Sequence, residues 1–148
     1  ARSVPGVERY FWFLEEGCNE EGHEYGLWRD GQPLPAALAY ATLARVLHDA
    51  APVGSAALAH GVQTHLFRAG ARAVALLWCD GAGAVLETGK LPSAWRSFDL
   101  MGVPISVGRP GDRLALTLGR APITVTFDAA ALPRMLEALR AARVEPAP

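Results

Sequence analysis

The chain has 148 residues, 51% of them hydrophobic, and a formal net charge of −1 at neutral pH. That is enough apolar material for one ordinary globular domain with a core, and the balanced charge excludes the basic face that nucleic-acid binding requires. No window approaches the ~18 apolar residues of a membrane-spanning helix, no basic-then-apolar leader opens the chain, and two cysteines, Cys18 and Cys79, are too few for a disulfide framework.

Free thiols are therefore expected at both cysteines. The same features lead to the expectation of a soluble protein with neither nucleic-acid nor membrane partners, in a bacterial-type cytoplasmic rather than a secreted setting. Lys90 is the only lysine among many arginines. The chain opens on Ala1 and runs within a few residues into strand-like sequence, so it is expected to be a piece of a longer protein.

Residues 8–14, "ERYFWFL", are rich in aromatics without clean alternation, which predicts a strand buried on both faces. The acidic stretch 15–24 reads as a loop, and "RDGQPLP" at 29–35 is dense in turn formers. Pro35 suits the first turn of a helix. Beyond it Ala36, Ala39, Tyr40, Leu43, Val46 and Leu47 recur at helical spacing and predict one apolar face. Residues 1–50 thus form a strand–loop–helix unit that cannot bury both its faces alone.

From residue 51 the pattern changes to short strands separated by turns. "HGVQTHLFR" alternates Val62, Thr64 and Leu66 against Gln63, His65 and Phe67. "RAVALLWCD" is strongly apolar, "GAG" turns the chain into "AVLET", and "SFDLMG" and "PISVG" are weaker strands. Leu114, Leu116 and Leu118 share one face; Ile123, Val125 and Phe127 point inward, with Thr124 and Thr126 outward. About seven or eight short strands at regular spacing predict an antiparallel β-sandwich over residues 51–148. Asp128 reads as the cap of a final helix over 129–144, carrying Leu132, Met135, Leu136 and Leu139, before a frayed tail.

The order of "YFWF", "EYGLW" and "RDGQPLPA" resembles the last β/α unit of clan A glycoside hydrolases, which are (β/α)₈ barrels. The resemblance rests on Gly26, Leu27, Asp30, Gly31, Pro33, Pro35 and Ala36. "FRAGARAVALLWCD", "FDLMGVPI" and "LALTLGRAPITVTF" look like strands of the small sandwich that several of these families carry after the barrel. The resemblance implies a mostly β chain: one β/α unit of a barrel, then an accessory sandwich with a C-terminal helix. A whole barrel takes about 250 residues, so this chain cannot hold one.

The stretch from Glu15 to Glu24 offers five glutamates, His23 and Cys18. Glycosidases need two carboxyls facing each other across the sugar, about 5–9 Å apart, which sequence neighbours such as Glu15 and Glu16 cannot provide. In the family resembled, both catalytic glutamates end earlier strands, upstream of Ala1. No catalytic residue is therefore expected here, and the chain alone should be inert.

No metal site is expected: neither the His-Glu-x-x-His pattern nor an EF-hand is present. No cofactor is implied, for no phosphate-cradling Gly-x-Gly-x-x-Gly follows a strand. There is no Gly-x-Ser-x-Gly elbow, and Cys79 with His60 and His65 shows no pairing pattern.

The resemblance implies three substrate-binding residues in the intact enzyme. Trp12 would floor a sugar subsite, because a pyranose offers an apolar C–H face to an indole. Glu15 and Glu16 would edge it, since the loop after the last barrel strand lies at the active-site face. Trp28 is expected to pack beside the barrel mouth and Trp78 in the sandwich core. Trp95 is expected on an exposed connection, where it is the one sandwich aromatic available to carbohydrate.

The implied partners are carbohydrate and the N-terminal barrel portion of the same protein, with a homodimer through exposed apolar faces as a further expectation. The alternative reading is an independent, non-catalytic module that binds carbohydrate or protein.

Overall fold

The computed structural model describes residues 18–20 and 23–148, with side chains for residues 26–148. The expected strand over 8–14 lies outside the described residues. Two hairpins come first: β1 (Cys18–Glu20) with β2 (His23–Tyr25), then β3 (Trp28–Arg29) with β4 (Gln32–Pro33). The acidic stretch, expected to be a loop, thus contains paired backbone. Asp30 and Gly31 turn the second hairpin with φ of 49° and 72°. This is the left-handed pair that a two-residue turn demands and that Asp-Gly supplies.

Helix α1 (Pro35–Val46) follows, with proline in its first turn as expected. Next come β5 (Ala51–Ala57), β6 (Val62–Ala69), β7 (Arg72–Cys79), β8 (Ala84–Lys90), β9 (Trp95–Phe98) and β10 (Pro104–Gly108). The chain ends with β11 (Arg113–Leu118), β12 (Ile123–Asp128), helix α2 (Leu132–Arg140) and β13 (Arg143–Pro146).

The protein is mostly β, and its main body is a β-sandwich built from antiparallel pairs. A six-stranded sheet, β10-β9-β12-β7-β6-β5, faces a three-stranded one, β11-β8-β13. Inward residues of both fill one core. Val62 and Leu66 come from β6, Ala73, Ala75 and Leu77 from β7, and Leu86, Leu114, Leu116 and Leu118 from the small sheet. Each fully buried leucine contributes about 1.5–3 kcal/mol. Helix α2 closes this core with Met135 and Leu139. Asp128 accepts from the Ala130 amide at 2.8 Å and starts the helical segment, as expected of an N-cap.

Several elements differ from expectation. β5, "APVGSAA", gives no alternating signal because its residues are small and it is an edge strand. Helix α2 stops at Arg140, and Arg143–Pro146, expected to be helix end and frayed tail, pairs with β8 instead. Pro146 is tolerated there because β13 is an edge.

On α1, only Val46 of the expected apolar face is buried; Tyr40 is exposed, and Thr42 is buried in its place. The reason is a second, smaller core on the outer face of the large sheet. There Val46 and Ala50 pack on Phe67 and Val74, with Leu47, Leu76 and Phe98 alongside. The Arg72 guanidinium donates to the Val46 carbonyl at 3.0 Å, satisfying a C-terminal carbonyl of the helix.

Gly108 ends β10 directly over the Trp95 ring, where an added Cβ would lie 2.1 Å from Cε2. Gly108→Ala is therefore expected to destabilise the fold by about 1–3 kcal/mol or more through overpacking. Gly89→Ala, with open space around its added Cβ, is expected to change little. Urea unfolding of both variants checks this.

Candidate functional site

The three residues expected to meet substrate, Trp12, Glu15 and Glu16, lie outside the described residues. What is described of that region is the backbone of the β1–β2 hairpin and the complete β3–β4 hairpin leading into α1. Register places Glu20 opposite His23 and Asn19 opposite Glu24. Trp28, opposite Pro33 in the second hairpin, is 39% exposed. Among the described residues no group of His, Cys, Asp or Glu side chains could hold a metal ion, and no helix is long and apolar enough to cross a membrane.

On the sandwich the tryptophans exchange the places expected of them. Trp95, expected on an exposed connection, begins β9 and is 4% exposed within the core. It pairs with Gly108 on one side and Phe127 on the other. No face of its ring is open to a sugar. The turn-like "LPS" before it hides the strand, and the inward polar Ser97 masks the alternation.

Trp78, expected in the core, points the other way. The inward register of β7 is Ala73, Ala75, Leu77 and Cys79, so Trp78 stands on the outer face. Its indole N–H donates to Asp80 Oδ1 at 2.8 Å. The His65 ring stacks on it, centroids 5.0 Å apart and planes 4° from parallel. His65 belongs to β6, opposite Leu76. Strand periodicity set His65 on the face opposite Val62, Thr64 and Leu66; only the register brings it to Trp78.

Thr124, expected to point outward, is fully buried. It also lies opposite Leu76, on the β12 side. His65 Nδ1 and Thr124 Oγ1 are both enclosed without a hydrogen-bond partner. The middle of the outer face, at Phe67, Val74 and Thr124, is therefore covered, while its margins at Arg96 and Val107 stay exposed.

Cys79 carries a free thiol and is buried. Its S–H donates to the backbone carbonyl of His60 at 3.2 Å, not to an imidazole. His60 itself is exposed in a left-handed turn, φ 55°. The thiol has neither the base nor the access that a nucleophile needs.

With this geometry, comparison with known proteins returns only structural likeness. No family model matches the chain, and no curated protein does. The fold is similar to part of a GH30 endoxylanase from Clostridium papyrosolvens C71, with a TM-score of 0.55 and 14% identity over 67% of this chain. The chain spans 29% of the length of that enzyme. A second likeness, to an RmlC-like cupin from Shewanella frigidimarina NCIMB 400, has a TM-score of 0.20 and carries no argument.

The His65 imidazole is pushed below its ordinary value of 6.5, first by desolvation. The unfolded chain then takes up this proton at a higher pH than the folded one. The stability contributed by the neutral ring is full above 6.5 and is lost as pH falls through that value toward the folded pKa. His65→Phe keeps a ring against Trp78 and removes the proton. The wild-type thermal midpoint is expected to fall more than that of the variant between about pH 7.5 and about pH 5.5, read by circular dichroism.

Proposed function

We propose that this chain is the C-terminal portion of a glycoside hydrolase, comprising the last β/α unit of its barrel and an accessory β-sandwich. The observation that carries the reading is the likeness of the sandwich fold to part of the endoxylanase. The docking of α1 on the large sheet through Val46, Ala50 and Arg72 supports it, since it ties the helix of the β/α unit to the sandwich.

In the intact enzyme the reaction is hydrolysis of an O-glycosidic bond by two carboxylates, both supplied by residues upstream of this chain. Trp12 stacks on the sugar ring and Glu15 and Glu16 border it with hydrogen-bond acceptors. The sandwich braces the barrel through α1. The chain by itself performs no hydrolysis and uses neither metal nor cofactor.

Two measurements test this. The 148-residue chain, assayed on xylan and on aryl glycosides, is expected to give no turnover above the blank. Turnover that Glu15→Gln abolishes would show the assignment of inertness to be wrong. In the protein translated with its upstream sequence, Trp12→Ala is expected to lower kcat/KM about tenfold or more, a loss of about 1.4 kcal/mol, with an unchanged unfolding midpoint. Unchanged kinetics would remove Trp12 from the sugar site.

A further inference from the structure

We draw no further inference here: the strongest candidate, the exposed apolar surface patch of Met101, Val103, Ile105 and Val107 leading into and along the edge strand β10, carries nothing, because nothing in the structure shows what covers it.

Discussion

Strand β7 is apolar on both faces, and most of the architecture follows from covering it twice. Ala73, Ala75, Leu77 and Cys79 look toward the small sheet; Val74 and Leu76 look the other way. A sheet face left wet at Val74 and Leu76 forfeits about 1.5–3 kcal/mol for each side chain. The three-stranded sheet and α2 supply one cover. The C-terminal turn of α1 supplies the other, latched by Arg72 at the first position of the same strand. One strand therefore couples the sandwich to the helix that precedes it.

The second cover is less complete than the first. Its polar groups are incompletely satisfied: His65 Nδ1 and Thr124 Oγ1 flank Leu76 without partners. An enclosed polar atom with no hydrogen bond costs about 1–3 kcal/mol, which the packing beneath α1 must offset. The inner core has a comparable cost at the Trp95 N–H, set against a dense layer of leucines. The outer layer is the side on which the sandwich meets α1, through Val46, Ala50 and the Arg72 latch.

Much of the sandwich was legible from period alone. The alternation of Val62, Thr64 and Leu66, of Leu114, Leu116 and Leu118, and of Val125 and Phe127 all appears in the structure as inward faces. The Asp-Gly turn at residues 30–31, Pro35 in the first helical turn and the Asp128 cap were legible too, because each acts through its own backbone and a few neighbours. What was missed lay at edges and at doubly covered positions. β5 and β13 have no apolar rhythm because they pack on one side of one neighbour. Thr124 looked outward because its alternation is correct; nothing in β12 itself announces that the outer face is covered there.

The sequence by itself determined the antiparallel sandwich, the two helices and the free thiol at Cys79, since local periodicity and turn chemistry are carried by consecutive residues. Tertiary structure alone decided the exchange between the two tryptophans, with Trp95 inside and Trp78 on the outer face against His65. It alone decided that α1 spends its last turn on Phe67 and Val74, and that, among the described residues, the apolar run 101–107 leads into and along an edge strand, β10. Those outcomes depend on strand order and register, which bring together residues distant in sequence, and no window of neighbouring residues contains that information.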